Sequence, residues 1–506
     1  MIRISVDAIV IKKDDIGVAG HVKEKGKSEN MEINDKVILY GSGVRCKNII
    51  PVLRDRIECI IDSDEKKWGT KVENIEVCSP DILKYVKLPV CITMVDPSAI
   101  NDVRMSLKSQ YKYNLTDEVD YLTLKISAYV DYIREEKKIE LKKQENKGKK
   151  IYFECYNGLG LGGIESWAKK TCGELYKKGY NVNLLTDIHV YQDEEQMGQM
   201  VKHMPVDHLK KDELSDILKM IEILKDNLPF VFVASREQIM LQAVCILKAF
   251  FPDDIKIISV IHGGLDRFYN AYCSLDKYID KFVAVSEDIQ REMIKRGVAE
   301  NKVLHMTCPI DYMEQFEHDY TCEEGKALLV GYAARLEKNQ KRVDLLLNMI
   351  VKMEQLNVNY HLQIAGEGKD EDEIRQFIAE NKLGSRIEML GRVPQEKMKE
   401  FWKRQDICVN ISDFEGRSIS VMEAMANGAV PVVTATSGVR EDIQSGENGY
   451  IVPLGDYEMM AHIIADLDKQ RIKLPVMGRK AYDVIVSKCK IEDHVKLWCN
   501  LLGEYE

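Results

Sequence analysis

The apolar residues of this chain gather in short continuous runs, each closed by a glycine or a polar turn and followed by a longer amphipathic stretch. Runs of that kind predict strands buried on both faces, and the 3.6-residue periodicity between them predicts helices. The first clear unit is KVILYGSGVRCKNIIPVL, a strand over Val37 to Tyr40 entering a glycine turn and a helix, followed by ECIIDSDEKKWG, a second strand ending at Asp62. LPVCITMV supplies a third strand, and a helix closes the unit near residue 125. Residues 126–149 are charge-dense and end in polar residues and glycine, the pattern of a helical spacer leading to a linker. The alternation restarts with IYFECYN, the turn GLGLGG, and a helix that places Trp167, Cys172, Leu175 and Tyr180 on one face; NVNLLT, PFVFVAS, KIISVIHGG and KFVAVSE follow. It restarts again with ALLVGYAA and runs through YHLQIAGEG, RIEMLGRV, DICVNIS and VPVVTA, to about residue 470.

Strands alternating with helices mean parallel, doubly wound sheets, so the expected class is α/β. The expected organisation is a smaller Rossmann-like domain over 1–125, the charged linker 126–149, two larger domains over 150–320 and 321–474, and a C-terminal helix over 475–506.

Composition narrows the function classes. The 506 residues are 45% hydrophobic, 30% charged and 8% aromatic, an ordinary soluble globular balance. A net charge of -10 argues against a nucleic-acid binder, because phosphate-backbone affinity needs clustered cations. No apolar run reaches the length of a membrane span, and the N-terminus lacks a signal-like apolar core, so a cytoplasmic location is expected. Thirteen cysteines without a CxxC pair fit reduced, buried thiols, and no structural metal is expected.

In open parallel sheets ligands bind beyond the carboxyl ends of the strands, which makes the residues after each apolar run the candidates. Gly41 and Gly43 followed by Asp62 form part of a nucleotide-binding fingerprint, with Cys46 where the third glycine would stand; a structural or regulatory module fits equally. Asp62-Ser63-Asp64 is a DxD, although acids commonly end strands of such sheets. His262 ends a strand ahead of two glycines. Arg335 and Lys341 follow another strand, a pair suited to a diphosphate or to a solvated helix start. After DICVNIS comes SDFEGRSISVMEAMANGAVPVV, whose helix should begin near Ser418 and stop at Gly428, leaving Glu415 in the loop and Glu423 within the helix. The start of that helix directs N–H groups at the loop, which favours phosphate.

Taken in order, GLGLGGIES, VSEDIQREMIKRGV, RLEKNQKR, AGEG, GRVP, EGRSISVMEAMANGAVPVV and SGVREDIQSGENGYIVP resemble the motifs of family 4 glycosyltransferases over about residues 150–470. The resemblance implies the GT-B fold, with two Rossmann-like domains facing across a cleft. It implies a retaining, metal-independent transfer of a hexosyl unit from a nucleotide-diphosphate sugar to a glycan or lipid-linked acceptor, with no cofactor. By it Arg335 and Lys341 would hold the donor diphosphate, Glu423 the ribose hydroxyls and Glu415 the transferred sugar. Val393 would lie against the base, with Gly366 in the AGEG loop beside it. His262 would sit near sugar and acceptor, and Gly162 and Gly163 would line the donor. Gly416, Arg417 and Ser418 would also meet it, but the family often has small residues after the first Glu. Here Arg417 would reach an anionic sugar or the phosphate, or point to solvent. The N-terminal module resembles those fused to bacterial surface-polysaccharide enzymes. Two other readings stay open, a nucleotide-sugar epimerase of the same fold and a non-catalytic nucleotide-sugar sensor. Lys169, Lys170, Lys177 and Lys178 make one helix basic, so that peripheral contact with the inner face of a membrane is open beside plain solvation.

Overall fold

The computed structural model describes residues 36–136, 150–155, 158–160, 162–187, 189, 197–206, 213–236, 238–323 and 325–503. The opening thirty-odd residues and the 137–149 part of the expected linker lie outside them. Three sheets organise the described chain. The first contains β1 (Val37–Tyr40), β2 (Ile57–Ile61), β3 (Lys71–Val72), β4 (Ile75–Cys78) and β5 (Val90–Ile92), in the order β3-β4-β2-β1-β5. Its pairs are parallel except β3 with β4. The second contains β6 (Lys150–Glu154), β7 (Val182–Thr186), β8 (Val201–His203), β9 (Phe230–Ala234), β10 (Ile255–Ile261), β11 (Lys281–Ala284) and β12 (Val303–His305), in the order β12-β11-β10-β9-β6-β7-β8. The third contains β13 (Leu328–Ala333), β14 (Tyr360–Ala365), β15 (Ile387–Gly391), β16 (Ile407–Asn410), β17 (Val430–Thr434) and β18 (Tyr450–Val452), in the order β15-β14-β13-β16-β17-β18.

The strands read as continuous apolar runs are those the helices cover. All residues of β1, β9 and β17 are buried, as parallel strands with helices on both faces must be. The strands that the pattern left unmarked include β8, β12 and β18, each three residues long at a sheet edge, too short to show a period. In the helix Gly163–Lys177, Trp167, Cys172 and Leu175 are buried as expected, while Tyr180 lies beyond its end.

Two segments differ from the pattern's promise. Residues 126–136 are no solvated spacer: they continue the helix Tyr121–Glu136, which buries Ile126, Tyr129, Val130 and Ile133. That spacing of i, i+3, i+4 and i+7 makes one apolar face, and the charges crowd the other. The apolar core runs without a break from the first sheet into the second through this helix. The C-terminal stretch is two helices, Leu474–Lys488 on the third domain and Ile491–Gly503, which crosses back to pack on Gly163–Lys177. There Trp498 stacks at 5.5 Å from Phe153 and 6.0 Å from Trp167. Among the described residues no helix is long and apolar enough to cross a membrane.

Candidate functional site

The second and third sheets present their strand ends to one cleft of about 930 Å³. That volume lies at the upper end of small-molecule sites, roughly 300–1,000 Å³. The twelve residues to which the family resemblance gives a role all line it: Gly162, Gly163 and His262 from the middle domain, and Arg335, Lys341, Gly366, Val393, Gly416, Arg417, Ser418, Glu415 and Glu423 from the third. Gly41, Gly43, Asp62 and Asp64 are not among its lining.

The cationic corner is built by the turn after β13. Arg335 leaves the strand end half-exposed, donating to Gln340 Oε1 at 3.0 Å and lying 3.2 Å from Glu337. Lys341 closes the short helix Lys338–Lys341 because Arg342 adopts a left-handed conformation (φ 49°), tied by its guanidinium to Asp344 and Asp413. Gln340 binds this turn to the loop after β16, donating to the Phe414 carbonyl at 3.0 Å and accepting from the Asp413 N–H at 2.9 Å. The result brings Lys341 Nζ within 2.6 Å of Glu415 Oε1, both largely buried. Each charge is held ready, with the other as its counter-ion.

Glycines let the backbones close in. A side chain on Gly416 would overlap the His262 carbonyl oxygen, so this residue permits the two domains to touch at the cleft floor. Gly366 (φ 143°) lies where a Cβ would overlap the Ala334 carbonyl. Gly163 meets Ile419, the first residue of the helix Ile419–Met425, across the same seam.

Glu423 is the more enclosed carboxylate, 5% exposed. Burial raises its pKa, opposed by Lys170 at 3.9 Å and by Gln395, whose amide donates to Oε1 at 2.6 Å. Gln395 also accepts from Ser166 of the middle domain at 3.1 Å, so Glu423 is clasped by both domains. His262 is held neutral: burial, then the Arg236 charge, lowers its pKa to about 3. Its ring packs edge-on to Trp167 at 4.8 Å, and its Nε2 has no hydrogen-bond partner among the described residues.

Arg417 does neither thing expected of it. Its side chain is only 2% exposed and grips Asp442 through Nε at 2.8 Å and Nη2 at 2.5 Å, with Glu441 at 3.8 Å from Nη1. Arg417 borders the cleft, but its guanidinium is engaged by a carboxylate inside the fold and is withdrawn from solvent. Behind it Glu287, His305 and Glu441 approach closely enough to share a cation, on the seam between the domains, where Arg417 already supplies positive charge. The Asp62 and Asp64 carboxylates are taken up locally, by Ser42 and Lys67 and by the Lys66 N–H respectively. Ser418 bonds Asn410 and Ser420.

Lys170, Arg236, Gln340 and Gln395 take part in the site without having been assigned to it from the sequence, where Lys170 counted only as part of a basic helix face. Arg236 follows β9 by two residues and could have been found by the strand-end rule; Gln395 just beyond GRVP and Lys170 mid-helix carry no local signal. Lys169 lines the cleft and Lys170 pairs with Asp311 at 2.8 Å, so the basic helix is not one outward lysine face.

Residues 315–484 match the glycosyl transferases group 1 family. The chain is 28% identical over 211 residues to the lipopolysaccharide 1,6-galactosyltransferase of Escherichia coli K12, covering 40% of this chain and only 56% of that protein. It is 22% identical over 371 residues to the N-acetyl-alpha-D-glucosaminyl L-malate synthase of Bacillus anthracis, covering 68% and 93%. The Anabaena protein Alr3699/HepE, solved with UDP and glucose, superposes with a TM-score of 0.58 at 14% identity, over 70% of this chain and all of its own. The fold is thus GT-B, preceded by a smaller Rossmann-like domain, and residues 315–484 form a glycosyl transferases group 1 domain.

Proposed function

We propose that the protein is a retaining glycosyltransferase, moving a hexosyl unit from a nucleotide-diphosphate sugar to a glycan or lipid-linked acceptor in surface-polysaccharide assembly. The observation that carries this reading is the meeting of Arg335, Lys341, Glu415, Glu423 and His262 in one cleft between two opposed sheets. Arg335 forks onto the diphosphate and Lys341 exchanges Glu415 for it, which frees Glu415 for the sugar hydroxyls. Glu423 accepts the ribose hydroxyls, and Val393 lies against the base. These two cations supply the charge stabilisation that a divalent ion would otherwise give to the leaving group.

The bond broken joins the anomeric carbon to the diphosphate, and the bond formed joins it to the acceptor oxygen. His262 is too weak a base to take the acceptor's proton when its pKa is near 3. The released diphosphate oxygen takes the proton instead, on the face it leaves, which favours retention. His262 then serves as a neutral hydrogen-bonding wall to the sugar. The reading places the work in the cytoplasm, at or near the inner face of the membrane.

The test is a panel of UDP-, GDP- and other nucleotide-sugars with acceptor glycans, with and without chelator, read as nucleotide release and product anomer. Release that survives chelation and disappears in Lys341→Ala supports the proposal. Epimerised donor without free nucleotide sinks it, as does tight donor binding with no turnover on any acceptor.

A further inference from the structure

The N-terminal domain borders the same cleft, and its own nucleotide crevice is closed. The turn Gly41 to Gly43 is the place where a dinucleotide's phosphates would lie. There the Asp62 carboxylate accepts from the Ser42 N–H at 3.1 Å and from its hydroxyl at 2.6 Å. Thr93 Oγ1 donates to the Gly41 carbonyl at 2.7 Å, and Arg45 Nη1 to the Met94 carbonyl at 2.7 Å, so the adjacent strand ends are bonded to each other. Cys46, fully buried, fills the position of the missing third glycine.

The domain is also fixed in place. Buried Lys125 pairs with Glu213 at 2.5 Å and donates to Gln242 at 2.5 Å, Asn48 donates to Glu213 at 2.9 Å, and the apolar core is continuous between the domains. An apolar, ion-paired interface of this kind leaves no hinge. What the domain offers the cleft is the start of the helix Val44–Leu53, through Val44, Arg45 and Asn48, and Val95, three residues beyond β5. Val44 is 62% exposed and Val95 63% exposed, unusual for valines beside a buried sheet. Leu122 and, from the middle domain, Phe268 extend the apolar rim.

Charge separates this rim from a plain apolar patch. Its carboxylates are neutralised, Glu213 by Lys125 and Asp216 by Lys219 at 3.7 Å. Among the described residues no carboxylate pairs with Arg45 or Arg267, both of which line the cleft; Arg45 lies over Tyr121 and Arg267 over Phe268. Guanidiniums stacked on rings and left without counter-ions, next to exposed valines, suit an amphiphilic anion.

We propose that the N-terminal domain is the outer wall of the acceptor subsite, and that this subsite takes a glycan bearing an anionic group beside an apolar portion. The word acceptor rests on the transferase reading; the binding chemistry does not. The probes are octyl glucoside 6-phosphate, octyl glucoside and glucose 6-phosphate, titrated calorimetrically into the full chain. The first should bind about tenfold tighter than either other, since it alone satisfies both halves of the rim. Val95→Asp and Arg267→Gln, both at exposed positions, should each weaken it about tenfold while leaving circular dichroism and UDP affinity unchanged. Equal affinity for the three probes, wild-type affinity in both variants, or no binding to the wild-type chain overturns the proposal. Octyl glucoside 6-phosphate binding that obeys these rules in a protein with no nucleotide release would uphold the wall and sink the transferase reading alone.

Discussion

At the residue scale the cleft is governed by how burial treats single charges. Glu423 is costly to keep ionised, since burial raises its pKa and only Lys170 and Gln395 compensate. Glu423→Gln should therefore leave the thermal midpoint unchanged or higher, because an amide removes a buried charge and keeps an acceptor for Gln395. If Glu423 holds the ribose as proposed, affinity for the donor nucleotide should fall about 10- to 100-fold with the loss of charge-assisted bonds, and the variant should no longer distinguish ribo- from deoxyribonucleotides. His262 gives a second prediction. Its folded pKa of about 3 lies below the unfolded value of 6.5, so its contribution to stability is fully present above pH 6.5 and is lost as pH falls toward 3. Between pH 6.5 and 5, His262→Gln should make the fall in unfolding free energy shallower by up to about 1.4 kcal/mol per pH unit. An unchanged slope in denaturant titrations would place the proton elsewhere.

At the element scale the helix Ile491–Gly503 is the unexpected support behind the site. It leaves the third domain and docks on the middle one, where Trp498 packs on Trp167 and Trp167 on His262. His494 fastens it: the Nδ1–H donates to the Thr307 carbonyl at 2.9 Å, which leaves Nε2 to accept from Thr171 Oγ1 at 3.0 Å. Burial lowers the pKa of this ring to about 4, so it stays neutral in both bonds. Trp498→Ala should cost about 3–5 kcal/mol, the usual penalty for emptying an aromatic core position. Hydrogen exchange should show the loss in the helices Ile491–Gly503 and Gly163–Lys177, while the third sheet keeps its protection.

At the scale of the whole molecule, one apolar core joins the first two domains and runs on into the third, and a buried ion pair adds to it between the first two. Lys125 is the pin, 2% exposed, its pKa lowered because burial outweighs the attraction of Glu213. Lys125→Ala should destabilise by about 3 kcal/mol or more, since it strands Glu213 at the interface. Lys125→Met paired with Glu213→Gln should recover most of that loss, and exchange protection of the helix Tyr121–Glu136 reports both. If the single variant exchanges as slowly as the parent, the apolar contacts alone hold the domains.

The order of apolar runs and turns determined the α/β class, the three sheets, the strand ends at which Arg335 and His262 stand, and the loop and helices after such ends that carry Glu415, Lys341 and Glu423. These are local properties: a buried parallel strand must be apolar throughout, and its carboxyl end must be followed by a turn. The twelve residues named in advance could be found because each sits next to such an end or in a motif in family order. Only the tertiary structure decided where Arg417 sends its charge, because Asp442 is twenty-five residues away and nothing local pairs them. It decided equally that Lys170 and Gln395 flank Glu423, that the C-terminal helix supports His262, and that Val44 and Val95 of the first domain reach the common cleft. Side-chain partners of that kind are chosen by which surfaces the domains press together. The composition of each segment alone does not contain that choice.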